Sequence, residues 1–571
     1  MTWSSLPSTT LRPLAFDRAN RGKSTKSQFP LFQLPVEVLQ DVAPHIPPAD
    51  LETLALVDRD CRQLARSVQF FHVKLTYSDT SLGILETLLA EMHGTQSESS
   101  QILGSCIRHL TLDLGHPRLT ETRLSRYPTL LGFHKHLPGT NNAQTAYLHA
   151  LATILCNSLP NLHSLNWQSR MPISTELMQS VTASNARHVV INHALVHAHL
   201  DAFDFYGRPR WALESFNLDV TCISDSSEDA DMIVAIMTDM LRAASPTLQH
   251  LSWKGTRLPF YISFGREMVV FPRLRSLRLD AVRMADFTIL SSFLSSNSRI
   301  SSLEISSLDR VTAEFLDNRG YMQSLECFSW INQSNAHEEE VIAFLEANCQ
   351  IHSLSIDQPL SPLTIETRIL PMIESHFRYL TSLQLVWGSV SIPDTTLFII
   401  GSLPQLRKLW LSAGYQFGWC NNWRIEHDVI LDALRPLHQL ESLAFSRDSY
   451  EVNGHPLLDS SVDKYYVNSV FPVDLNFQTY LKPDERVLID SLGQKTDISF
   501  DHARSLQSRL MKAAWERWHQ EKMIALANVY ANTFPLLQSC FIGQYPMRVE
   551  REGLKVNVIV ETTLRQENFR P

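Results

Sequence analysis

Three histidines, His193, His197 and His199, with Asp201 and Asp204 just beyond them, are the one group in this 571-residue sequence with metal-ligand spacing. Histidines four apart share a face of a helix, and His199 points away from that face. No HExxH pair places a base beside them. The set reads as ordinary, partly exposed histidines, and no metal is expected. Gly22-Lys23-Ser24-Thr25 has the closing residues of a phosphate-binding loop, but Asp17 stands where the first glycine must be, and no strand precedes it. GxGxxG, GxSxG and kinase sets are absent. Asp225, Glu228, Asp229 and Asp231 form a serine-flanked acidic run that reads as a solvated loop before a helix over residues 232–241. The eight cysteines, at 61, 106, 156, 222, 327, 349, 420 and 540, contain no CxxC, so neither a zinc ribbon nor a dithiol redox pair is expected. The expectation is a non-enzymatic chain without active site, metal or cofactor.

Bulk properties narrow the class. Apolar residues make up 44% and charged residues 19%, as in a folded globular protein. The length exceeds one compact core, so several domains or an elongated array of repeats is expected. A net charge of −9 spread this thinly gives no concentrated basic surface for a phosphate backbone, so no nucleic-acid partner is expected. Residues 1–28 are rich in Ser, Thr and Pro, with Arg12, Arg18, Arg21, Lys23 and Lys26 against the single acid Asp17. They read as a disordered basic tail. No apolar run nears the ~20 residues that cross a bilayer. The cysteines then read as reduced, mostly buried thiols, with cytoplasm and/or nucleus as the expected location and no membrane partner.

The elements that position everything else come from internal repetition. The pattern apolar-x-x-apolar-x-apolar recurs eleven times, from Ile107/Leu110/Leu112 and Leu162/Leu165/Trp167 through Leu248/Leu251/Trp253 to Leu440/Leu443/Phe445. From 248 onward the first positions are 26, 26, 25, 26, 29, 26 and 34 residues apart. That spacing lies mostly within the range of leucine-rich repeats, about 20–29 residues. Between them run stretches with apolar residues at helical spacing, such as Val341-Ile342-x-Phe344-Leu345, with Glu338 to Glu340 at a helix start where the dipole favours anions. One strand and one helix per ~26 residues predicts an α/β fold, a curved leucine-rich-repeat solenoid over residues 73–445. The Asn or Cys usual three positions after the last leucine is replaced by Thr256, Val282 or Leu308, so looser turns are expected.

Ahead of the repeats, residues 32–66 read as three short helices. Pro35 starts the first, Asp50 can cap the second, and Asp58 the third, which carries Cys61, Leu64 and Ala65. So small and apolar a segment cannot bury all of itself. Leu34-Pro35-x-Glu37-Val38-Leu39 followed by Asp50-Leu51-x-x-Leu54-x-x-Val57 resembles an F-box. Asp58 and Asp60 flank Arg59 where that family usually has a small or cysteine residue and then a basic one. The arrangement as a whole resembles fungal F-box/leucine-rich-repeat proteins. The resemblance implies a substrate receptor of a cullin–RING ubiquitin ligase, with residues 29–72 holding the Skp-type adaptor. Leu34, Pro35, Val38, Leu39, Leu51, Leu54 and Val57 would then form or support the adaptor-facing surface, and the solenoid would hold a protein substrate. A leucine-rich-repeat interaction scaffold without a ubiquitin role is the alternative.

In such strands the interleaved residues face the concave side. Lys254, Arg278, Asp280, Glu304, Lys408 and Trp410 are the candidate substrate contacts there, with Trp410 expected as an exposed anchor. Phe417, Trp419, Trp423 and Arg424, in the aromatic stretch that follows, either fold over the solenoid or present a partner site, and the second reading makes them further substrate contacts. Trp167, Trp253 and Trp330 fall on core positions. Residues 446–500 read as loop-rich. Residues 501–571 read as a cap, with a helix over 502–532 striped by Leu506, Leu510, Ala514 and Trp518, the strand signature Leu537-x-x-Cys540-x-Ile542, and a hairpin around Gly553.

Overall fold

A computed structural model describes residues 29–93, 103–114, 119–136, 143–168, 175–196, 211–222, 227–255, 261–264, 269–294, 299–306, 309–331, 337–414, 423–449, 477–492, 500–553 and 555–561. The described residues fall into two compact units, divided between Ile300 and Ser301.

The N-terminal unit opens with helices α1 (Val36–Val42), α2 (Pro48–Leu54) and α3 (Arg59–Gln69). Proline stands at the start of α2, and the Asp58 carboxylate caps α3 by accepting from the Cys61 amide at 2.7 Å. The helices close on Leu39, Ala43 and Leu64, with Leu31, Phe32, Leu54 and Val68 packed around them. The strands β1 (His72–Leu75), β2 (His109–Leu112), β3 (Ser164–Trp167), β4 (His188–Val196), β5 (Ser215–Cys222), β6 (His250–Lys254) and β7 (Ser276–Asp280) follow in parallel and in chain order. Between them lie α4 (Asp79–Met92), α5 (Glu121–Leu124), α6 (Pro128–His136), α7 (Ala143–Asn157), α8 (Thr175–Ala183) and α9 (Ser227–Ala244), with α10 (Thr288–Phe293) after β7. The middle apolar position of each strand meets its counterpart in a single row: Val73, Leu110, Leu165, Val189, Phe216, Leu251 and Leu277.

The C-terminal unit continues the same grammar with β8 (Ser302–Ser306), α11 (Arg310–Arg319), β9 (Cys327–Ile331), α12 (Glu338–Ala347) and β10 (Ser353–Leu360). A helical stretch of α13 (Pro362–Thr364), a π turn at Ile365–Ile369 and α14 (Leu370–His376) leads to β11 (Ser382–Trp387), α15 (Asp394–Gly401) and β12 (Lys408–Ala413). After β13 (Trp423–Arg424) and α16 (His427–Leu434) come β14 (Ser442–Ser446) and β15 (Asp448–Ser449), and β13 pairs with β15 outside the main sheet. Then follow α17 (Pro483–Leu492), α18 (Phe500–Thr533), β16 (Ser539–Ile542), β17 (Tyr545–Glu552) and β18 (Lys555–Val560). Its row is Leu303, Phe328, Leu354, Leu383, Leu409, Leu443 and Cys540, again at one register.

Crossovers between sequential parallel strands are right-handed as a rule, which puts the helices of a unit on one face of its sheet, and successive helices α7/α8, α11/α12 and α15/α16 pack side by side. Strand and helix therefore alternate as in a leucine-rich repeat. Every strand expected from the apolar pattern is present. Two more, β1 and β4, carry weaker forms of it, Phe70-x-x-Val73-x-Leu75 and Ala186-x-x-Val189-x-Ile191. Trp167, Trp253 and Trp330 are core residues, as expected.

The looser turns expected from the missing asparagines are tied at another slot, three residues before the strand. There the Asn161 and Asn185 side-chain amides donate to Ser105 O (2.8 Å) and Pro160 O (3.1 Å). Thr247 and Gln350 likewise donate to Leu213 O and Met322 O, both at 2.8 Å. The carbonyls of one turn are thus bound by the side chains of the next.

At the C-terminal end, α18 packs on β16, β17 and β18. The stripe predicted for this helix holds at Leu510 and Ala514, which close on Leu481. One turn later it shifts by a residue to His519, Met523, Ala527 and Tyr530, leaving Trp518 half-buried under Lys522. The turn between β16 and β17 uses Gly543 and Gln544 at φ 59° and 68°. A side chain at Gly543 would run into the Met523 sulfur, so glycine is required by space as well as by backbone. The hairpin expected around Gly553 is β17–β18.

Candidate protein-docking surfaces

The N-terminal helices separate the seven residues expected to form or support an adaptor surface into two sets. Leu39 and Leu51 are 3% and 4% exposed and Leu54 packs on the Leu39–Ala43–Leu64 cluster, so these three hold the segment together rather than face a partner. Their periodicity marked an apolar stripe, and the stripe's centre is the helices' own core. Leu34, Pro35, Val38 and Val57 do face solvent, Val57 at 52%. Two residues outside those seven join them: Val42, and Leu56 at 79% exposed. Asp58 and Asp60 do not crowd this surface with charge. Asp58 caps α3 and Asp60 is buried. The far side of α3 is fixed to the repeats, where Gln63 Nε2 reaches Cys106 Sγ at 3.3 Å.

On the interleaved faces the outcome is mixed. In the N-terminal unit, Asp219, Lys254 and Asp280 are register partners on β5, β6 and β7, giving an acid–base–acid row with Lys254 Nζ 3.9 Å from Asp219 Oδ2. Arg278 stands on the same face opposite Ser252, and Lys254, Arg278 and Asp280 are half-exposed. In the C-terminal unit the row runs Glu304, Ser329, Ser355, Gln384, Trp410, Ala444, Phe541. Glu304 is buried, Lys408 is exposed, and Ser355 Oγ donates to Gln384 Oε1 at 2.9 Å.

The expectation that Trp410 is an exposed anchor is overturned. Its indole is 3% exposed, packs against Ala444 and Phe541, and donates from Nε1 to Ser446 Oγ at 2.8 Å. Residues 539–542 return as a strand directly beside β14, which brings Phe541 into the row. Trp423 is buried as well, its ring 5.9 Å from Phe445. Phe417 and Trp419 lie outside the described residues. So does the side chain of Arg424, which sits on β13.

One feature of the interleaved face was missed in the sequence. His72, His109, Ser164, His188, Ser215, His250 and Ser276 are register partners, so a histidine occupies the same slot on β1, β2, β4 and β6. The signal was there: each of these histidines immediately precedes the middle apolar residue of its strand. The His72 and His109 rings stack at 4.3 Å and 17°, and His163, just before β3, lies 4.6 Å from His188. His109 Nδ1 bonds Ser164 Oγ at 2.9 Å, while His109 Nε2 and His188 Nδ1 are buried without a hydrogen-bond partner. Burial pushes all five imidazoles, His250 included, below their ordinary value. With added repulsion from neighbouring imidazoles and Arg108, His109 falls to about 3 and His163 to about 4. These are neutral packing groups at neutral pH.

Of the His193 group, His193 lies on strand β4, where a spacing of four does not define a helix face, and His197, His199, Asp201 and Asp204 lie outside the described residues. Among the described residues no group of three or more His, Cys, Asp or Glu is placed to hold a metal. Glu228, Asp229 and Asp231 are in the opening turns of α9, not in a loop before it. Among the described residues no helix is long and apolar enough to cross a membrane.

No protein-family model matches the sequence, and no curated protein does. Among solved structures, the chain is similar to a leucine-rich-repeat protein of Leptospira interrogans, at 12% identity and a TM-score of 0.24, over 66% of this chain and 95% of that one.

Proposed function

We propose that this chain is an adaptor of the F-box type, which docks through its N-terminal helices on the Skp-type subunit of a cullin–RING ubiquitin ligase and offers its repeats to a protein substrate. The observation that carries the reading is the apolar surface of Leu34, Val38, Val42, Leu56 and Val57 on a segment whose own core is already closed. Exposed apolar side chains gathered on so short a segment mark an interaction site. A patch of aliphatic side chains on helices fits a helical partner that lays an apolar face against it. In this reading the chain does no bond chemistry. It raises the concentration of a target near the ligase. Lys254, Arg278 and Asp280, half-exposed on β6 and β7, offer the repeats' partner a polar, mixed-charge surface, which favours selectivity over bulk affinity.

Co-purification with a Skp-type adaptor tests it. The native chain should capture the adaptor, and Val38→Asp with Val57→Asp should weaken capture about 30-fold or more, as loss of ~2 kcal/mol at an interface centre implies. Val38 is 39% and Val57 52% exposed and neither belongs to the segment's core cluster, so the melting temperature should change little. A folded native chain that captures no adaptor would refute the ubiquitin role and leave a leucine-rich-repeat interaction scaffold.

A further inference from the structure

The last strand of the C-terminal unit has an uncommon edge. β18 pairs with β17 on one side only, and among the described residues no strand lies on the other. The Glu561 amide donates to Pro546 O across β17 at 2.9 Å. Backbone polarity alternates along an antiparallel ladder. Lys555, Asn557 and Ile559 therefore also aim their peptide groups at β17, and Val556, Val558 and Val560 aim theirs outward. Natural sheets usually protect such an edge with charge, proline or a bulge. Here the outward groups belong to three β-branched residues in unbroken register.

We infer that β18 is a self-association edge, on which a second copy of this chain adds its own β18 antiparallel about a two-fold axis through Val558. The sequence Lys555-Val-Asn-Val-Ile-Val-Glu561 is self-complementary in that register. Val558 meets Val558 of the second copy, and Val556 meets Val560, so every outward amide and carbonyl of the three valines finds its counterpart. Lys555 of one copy falls opposite Glu561 of the other, at both ends of the pair, where it would join the Arg548 guanidinium that already lies 3.4 Å from that carboxylate. The valine side chains, which lie on the face packed by α18, join into one apolar strip across the axis. Such an interface is isologous and closes at two copies. An unrelated extended peptide could use the backbone groups but has no reason to carry the opposed charges in this order.

Sedimentation or light scattering across a concentration series reads the result. The full chain should approach twice its monomer mass as concentration rises, and Val556→Pro, which removes an outward amide only, should hold it at the monomer mass. Lys555→Glu, which sets two carboxylates opposite each other at both ends of the pair, should raise the dissociation constant about fivefold or more. Circular dichroism matching that of the native chain keeps a folding defect apart from a lost contact. A native chain that stays monomeric throughout, or a dimer untouched by Val556→Pro and by Lys555→Glu, would overturn the proposal.

Discussion

Trp410 shows how much a single residue's role depends on its neighbours. By type and position it is the indole an interface would use, placed on the interleaved face among polar side chains. In the folded chain it packs in a buried cluster with Ala444 and Phe541, with its one polar side-chain atom bonded to Ser446. Replacing it with Ala removes most of a buried side chain and leaves a cavity. The expected cost is about 3–5 kcal/mol, read as a lower urea midpoint at unchanged slope. A variant of native stability that fails only in partner capture would return Trp410 to the binding surface. Asp58 makes the complementary point, since the acid that departs from the F-box pattern is the residue that caps α3.

Across several strands at once, the row of histidines makes the N-terminal unit sensitive to acid. In the unfolded chain these imidazoles titrate near their ordinary ~6.5, whereas in the fold His109 and His163 are held to about 3 and about 4. As pH falls below about 6.5 the unfolded state takes up protons that the folded state refuses. Stability is complete above that value, declines through pH 6 and 5, and is lost fully only as pH passes the folded values. His427 and His519, each held to about 4 by burial, add the same trend in the C-terminal unit. Hydrogen exchange at pH 7.5, 6 and 5 should therefore show β1 and β2 losing protection with acid, and His109→Asn should flatten that dependence. Protection in β1 and β2 that is the same at all three pH values would contradict this. The strands themselves were legible, because each buries alternate apolar residues and a period of two survives in a single sequence. The histidine row was not, since no local pattern tells which side chains of non-adjacent segments will stand edge to edge.

For the whole molecule, the described residues divide into two compact units between Ile300 and Ser301. A repeat array is stabilised by contacts between neighbours, not by one shared core, so cooperativity weakens with length. Calorimetry should then give a van't Hoff enthalpy well below the calorimetric one, or two resolved transitions. One two-state transition with equal enthalpies would refute this. The sequence by itself determined the strand period, the core tryptophans, the three N-terminal helices and the closing hairpin, because each is written in spacings of two to four residues or in a recurring ~26. Tertiary structure alone decided which apolar side chains remain exposed. Leu39 and Leu51 turned inward while Val42 and Leu56 stayed out, because three helices share one small interior. Trp410 was covered because residues 539–542 came back beside β14. Exposure depends on what arrives from elsewhere in the chain, and spacing along the chain does not encode that.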